Sequence, residues 1–282
     1  LETGAKVGAD SWQMRVKNQT PHCKFGEQGV CCRICSMGPC RITPKAPRGI
    51  CGCDVHGIVG RNFLRFTAGG AATHSDHGRE ICITLGHAKE GGDYQVKDPE
   101  KLIRIAKEWG VETEGKDIYD LAHEMSDLAQ EEYGKIRGYS RWLKRAPQHT
   151  QDLWHAAGIE PRAIDREVSC ALHMTHMGNT SKPEALIRQA LRNGLSDGWG
   201  GSMCGTEFSD VLFGTPKPID TEANLGVMNA ENVNIVVHGH DPSLSEMICE
   251  YADSKEMIDY AKSMGAKGIT VSGVCCTSNE VA

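Results

Sequence analysis

The sequence predicts an α/β protein in two unequal parts. A mainly α-helical domain spans residues 1–229 and carries a cysteine-rich loop segment at 21–53, and residues 230–282 begin a Rossmann-like parallel α/β domain. Three observations predict this. Residues 21–53 are rich in cysteine, glycine and proline and show little periodicity. From Asp54 onward apolar residues recur at three- and four-residue spacing, the helical period. After about Asn232 the pattern changes to strand, helix, strand.

Taken in order, the cysteine-rich stretch reads as a loop wrapped around something inorganic. VHGIVGRNFLRFTAGGAATHSDHGREICITLGHA, to about Ala88, reads as helix, with Gly69 and Gly70 as a candidate break. Further helices are expected near 98–109, 116–134 and 183–193, separated by turn-rich pieces such as EGGDYQ and NGLSDGWGGS. NVNIVVHGH is a β-branched run of the kind buried in a parallel sheet. DPSLSEMICEYADSKEMIDYAKSMGAK reads as an amphipathic helix, and GITVSGVCC as a second strand, which completes a βαβ unit. One such unit cannot bury both faces of a sheet, so the chain reads as a truncated part of something larger.

Composition narrows the function classes. With 282 residues the chain is long enough for two domains, and 39% hydrophobic with 24% charged residues is ordinary for a globular protein. A net charge of −6 gives no basic face for nucleic acid. No apolar run approaches the roughly 18 residues of a membrane span, and the first thirty residues lack the apolar core of a secretory signal. A cytoplasmic protein is expected. Thirteen cysteines, an odd number, fit a disulfide framework poorly, and clustered thiols in a reducing compartment are more often metal ligands or catalytic groups.

The strongest chemical signal is Cys23-x7-Cys31-Cys32-x2-Cys35-x4-Cys40-x10-Cys51. A [4Fe–4S] cluster needs four converging thiolates, and Gly38, Pro39 and Gly49 let the backbone wrap it. Cys32, Cys35, Cys40 and Cys51 make one such set. Cys23 and Cys31 are left over, two ligands where four are wanted, and a symmetric dimer supplies the other two. The competing reading is a structural zinc site with one Cys-x2-Cys arm, although zinc takes four ligands and this block holds more. His74 and His77 lie at i, i+3 on the expected helix, a spacing that suits a proton relay, a ligand pair or plain helix surface. His240 and the Cys275–Cys276 pair follow the two expected strands, so they belong at the carboxyl edge where α/β sheets place ligands. Cys53, Cys82, Cys170, Cys204 and Cys249 have no partner at ligand spacing and read as small buried side chains.

Together these residues resemble the nickel-dependent, anaerobic carbon monoxide dehydrogenases. The resemblance runs nearly the length of the chain, through FGEQGVCCRICSMGPCRI, RGICG, IVGRNFLR, GAATHSDHGR, FSDVLFGTPKP, EANLGV, VHGHDPSLSEMI and GVCCTSNEVA. It implies that Cys32, Cys35, Cys40 and Cys51 hold a [4Fe–4S] cluster within the subunit. Cys23 and Cys31 would share an iron–sulfur cluster with a twin subunit, [4Fe–4S] being favoured over [2Fe–2S]. His240 and Cys276, with Cys275 beside them, would ligate a nickel–iron–sulfur active cluster, and His74, continued by His77, would be the acid–base histidine. The implied reaction is CO + H2O ⇌ CO2 + 2H⁺ + 2e⁻, with electrons passing to a ferredoxin-like carrier and, in some members, an acetyl-CoA synthase subunit as partner. Two features depart from the pattern. Glu80 and Ile83 stand where some members continue the histidine series. The remaining active-cluster cysteines and a lysine base belong to the family's second half, which this sequence does not contain. The rival resemblance is to the hybrid cluster proteins, with a hydroxylamine reductase activity, and the blander function is an electron-transfer module without catalysis of its own.

Overall fold

The computed structural model describes residues 6, 8, 10–215, 228–238 and 242–275. The first part is built around one long helix. After a short helix α1 (Trp12–Asn18) and a single helical turn α2 (Lys24–Glu27), the cysteine segment folds as a two-residue ladder, β1 (Cys31–Cys32) against β2 (Cys40–Arg41). Helix α3 (Val55–Gly86) follows at once, started by the Asp54 carboxylate accepting from the Gly57 amide at 2.9 Å. Its buried positions, among them Ile58, Arg61, Leu64, Ala68, Ala71, Ser75, Gly78, Cys82 and Leu85, repeat every three or four residues and form one continuous stripe.

Four helices pack on that stripe: α5 (Ile118–Gly134), α7 (Ile164–Thr175), α8 (Pro183–Ser196) and α9 (Met203–Phe213). Of two more, α4 (Pro99–Glu108) packs on α5 and α9, and α6 (Gln148–Ala157) buries no residue. The close approach depends on small residues. A side chain at Gly57 would strike the Ser181 carbonyl at 2.6 Å, and one at Gly78 would strike the Tyr133 hydroxyl. The larger core gathers Trp109, Trp142 and Phe208 edge to face, with ring centroids 5.0, 6.0 and 6.3 Å apart, around Leu102, Ile105, Leu121 and Met125.

The α/β part is a βαβ unit, as expected. Strand β3 (Val233–His238) pairs in parallel with β4 (Ile269–Cys275), from Val233 opposite Ile269 to His238 opposite Cys275. The crossover is two helices, α10 (Pro242–Ala252) and α11 (Lys255–Ser263), where the sequence suggested one. Ser254 makes the break by capping α11 through the Met257 amide at 3.3 Å.

Two further expectations change. Gly69 and Gly70 do not break α3, because both face open space on the outer side while the buried stripe runs past them through Ala68 and Ala71. The stretch NGLSDGWGGS is not a turn: α8 runs to Ser196 and continues through a wide, π-type helical segment at Asp197–Ser202 into α9. Among the described residues no helix is long and apolar enough to cross a membrane.

Candidate metal centre

The cysteine segment divides its thiols between two surroundings. Cys32, Cys35, Cys40 and Cys51 all line one hollow, closed by Ile58 and Arg61 of α3 and by Thr175 and Met177 at the end of α7. All four are free thiols. Glycines bring the backbone close: a side chain at Gly38 would meet the Cys40 amide at 3.0 Å, and one at Gly49 would meet Cys40 Sγ at 3.5 Å. Two donors already aim at the sulfurs. The Ile50 amide donates to Cys40 Sγ and Arg61 Nη1 donates to Cys51 Sγ, each at 3.3 Å. Burial pushes the Cys32 thiol up. Burial acts the same way on Cys51 but is outweighed by the Cys53 amide, the Arg61 guanidinium and the Gly178 amide, so its net shift is downward.

Cys31 neighbours Cys32 on β1, and successive strand residues face opposite sides. It accordingly lies outside the hollow, as does the exposed Cys23. Cys23 precedes α2, and the Gly26 and Phe25 amides lower its pKa. Two contacts tie this outer pair to the body. Asn62 Nδ2 donates to the carbonyls of Gly29 at 3.1 Å and Cys31 at 2.9 Å, and the Arg41 guanidinium sits 4.6 Å from the centre of the Phe25 ring.

The donor set fits an iron–sulfur cluster. A zinc ion would draw four sulfurs to about 2.3 Å of a single point. Here the four thiols line the walls of one hollow, and two N–H donors already point at their sulfurs. A cluster takes such a set, one thiolate for each iron, with N–H groups donating to its sulfurs.

His74 lies half-buried on α3, with Nδ1 2.8 Å from Asp197 Oδ1 in the π-type segment. That segment presses on α3 at this point: a side chain at Gly201 would meet the His74 backbone at 3.4 Å and Ile164 Cδ1 at 2.6 Å. With Nδ1–H donating to the carboxylate, Nε2 keeps the lone pair. His77 Nε2 is buried and has no hydrogen-bond partner among the described residues. Asp197 carries no sequence signal as a partner, because it is 123 positions from His74. Sequence distance likewise hides the Asn62 contacts, 33 and 31 positions away, and the Arg61 contact with Thr180, 119 positions away.

His240 and Cys276 lie outside the described residues, and Cys275 is the last residue of β4. The backbone does bring the two strand ends together, since His238 pairs with Cys275. Of the remaining thiols, Cys53, Cys82 and Cys204 are buried, and the Cys82 and Cys204 sulfurs lie 3.9 Å apart. Burial pushes the Cys82 thiol well up. Cys170 and Cys249 are only partly buried, contrary to expectation.

Known proteins show the same arrangement of segments. A family model described as the prismane/CO dehydrogenase family matches residues 30–282. The chain belongs to this family. Carbon monoxide dehydrogenase 1 of Methanosarcina mazei is 46% identical over 285 residues, covering 99% of this chain and 45% of the relative. The carbon monoxide dehydrogenase/acetyl-CoA synthase subunit beta of Moorella thermoacetica is 41% identical over 271 residues, covering 93% of this chain and 40% of that one. A crystal structure of carbon monoxide dehydrogenase from Thermococcus sp. AM4, nickel-free as isolated, superposes with a TM-score of 0.84 at 46% identity, over 99% of this chain and 45% of that one. This family member therefore spans less than half the length of the relatives it matches. The match covers both the helical part and the βαβ unit, so the α/β reading of the fold holds.

Proposed function

We propose that this chain forms the N-terminal portion of a nickel-dependent carbon monoxide dehydrogenase that works in the cytoplasm and oxidises CO with water, reversibly, to CO2. The observation that carries the reading is the hollow lined by the free thiols of Cys32, Cys35, Cys40 and Cys51, in a chain whose relatives bear that name. These four residues would hold a [4Fe–4S] cluster within the subunit. Cys23 and Cys31, outside the hollow, would share a second cluster with the same pair of a twin subunit, and [4Fe–4S] suits that position better than [2Fe–2S]. His240, Cys275 and Cys276, which in the sequence stand at or just after the ends of β3 and β4, would contribute to the active cluster. The domain boundary falls at residues 229 and 230, just ahead of β3.

When bound, the nickel–iron–sulfur cluster supplies the binding of CO and water and accepts the two electrons. The rest of the chemistry falls to this chain's own residues. His74 Nε2 takes the proton released from water, while Asp197 holds the ring through Nδ1. His77, three residues on, continues the path with a buried nitrogen that has no competing partner among the described residues. Cys32, Cys35, Cys40 and Cys51, with Cys23 and Cys31 outside them, would hold the clusters through which electrons would leave to a ferredoxin-like carrier, and an acetyl-CoA synthase subunit would be a further partner, as in the Moorella protein's name.

The test is CO-dependent reduction of a viologen dye by the full-length protein prepared without oxygen. Turnover with CO supports the reading. A protein that carries its clusters but gives no dye reduction with CO, or that instead oxidises reduced viologen when given hydroxylamine, contradicts it.

A further inference from the structure

Arg61, inside the IVGRNFLR motif, has no part in the function proposed so far. Its side chain is 2% exposed. Nε donates to the Thr180 carbonyl at 2.8 Å and Nη1 donates to Cys51 Sγ at 3.3 Å, so one planar fork serves two acceptors at once. Among the described residues no carboxylate lies within ion-pair distance of it. A buried guanidinium without a counter-charge is strongly unfavourable. What faces it instead is sulfur. Arg61 lines the four-thiol hollow and acts electrostatically on Cys32 and Cys53 as well as Cys51.

We infer that Arg61 is a positioning residue that sets the reduction potential of the cluster held by Cys32, Cys35, Cys40 and Cys51, through a fixed positive charge and an N–H···S hydrogen bond at Cys51. The inference rests on the cluster reading proposed above. Net charge and hydrogen bonds to the sulfurs are two of the terms that set such potentials. Reduction adds one electron, so a cation at van der Waals distance favours the reduced form and raises the potential. Burial keeps that charge poorly screened by salt. A lysine could supply charge but could not hold both Thr180 and Cys51 with fixed geometry.

The test uses the full-length protein, purified without oxygen, in a redox titration followed by the electron paramagnetic resonance of the reduced cluster. Arg61→Met removes charge and donors, and Arg61→Lys returns the charge. The expected result is that Arg61→Met shifts the reduction equilibrium about tenfold toward the oxidised form, about 59 mV lower for a one-electron couple, and that Arg61→Lys recovers most of the shift. A residue that only braced the fold would change iron content or melting temperature and leave the potential of the remaining clusters in place, which would overturn the inference. Wild-type protein labelled with 15N-arginine decides the case if Arg61→Met assembles no cluster. A guanidinium 15N coupling to the reduced cluster, lost in Arg61→Lys, supports the role; no coupling overturns it. If the wild type itself shows no four-iron signal, the cluster reading fails first and the inference falls with it.

Discussion

Replacing Asp197 by Asn tests the proton-handling arm of the proposal without touching a cluster ligand. Asp197 Oδ1 accepts from His74 Nδ1 at 2.8 Å, and Ser202 Oγ donates to the same oxygen at 3.5 Å. The amide keeps the shape but can present N–H toward Nδ1, which reverses the tautomer and leaves Nε2 carrying a proton. A hydrogen bond to a charged group contributes about 1.5–3 kcal/mol, and about 1.4 kcal/mol corresponds to a factor of ten in rate. His74 is 41% and Asp197 23% exposed, so solvent screening places the effect at the lower end. The expected outcome in the full-length enzyme is about a tenfold fall in kcat for CO-dependent viologen reduction, with KM for CO and metal content unchanged. His74→Ala is expected to lower kcat by about 10²–10⁴. The double variant should be no slower than His74→Ala alone, because Asp197 acts only through the ring. An Asp197→Asn enzyme within twofold of wild type, or a double variant with multiplied losses, would refute the assignment.

Other consequences concern the clusters and the core. Cys51→Ala removes one corner of the hollow and is expected to lose roughly four irons per subunit, read by metal analysis. Cys23→Ala or Cys31→Ala should lose only the shared cluster, so iron falls by roughly two per subunit while the within-subunit signal persists. Phe208→Ala opens a cavity beside Trp109 and Trp142 and is expected to destabilise by about 3–5 kcal/mol in reversible unfolding. A loss below about 1 kcal/mol would mean that the aromatic trio is not central to the core.

The parts of this protein that were legible in advance are those set by local sequence. The Cys32–Cys35–Cys40–Cys51 spacing marks the four thiols that line one hollow, and the β-branched runs mark β3 and β4 in parallel register. Helix α3 is visible from its apolar period, and its continuity past Gly69 and Gly70 follows from the buried stripe, not from propensity. Helices α6, α7 and α9 were not anticipated. In α6 no residue is buried, so its apolar stripe is faint; α9 starts directly after a glycine-rich stretch that reads as turn. The site partners were illegible for a different reason. Asp197 reaches His74 across 123 positions, and Arg61 reaches Thr180 across 119, so only the packing of α3 against its neighbours reveals them.

Metal analysis of the full-length protein, isolated without oxygen from cells supplied with nickel, tests the central claim most directly. The account predicts nickel near one per subunit together with roughly ten irons. Iron without nickel that incubation with nickel under reducing conditions does not correct would contradict the carbon monoxide dehydrogenase reading, and zinc alone would contradict the clusters as well.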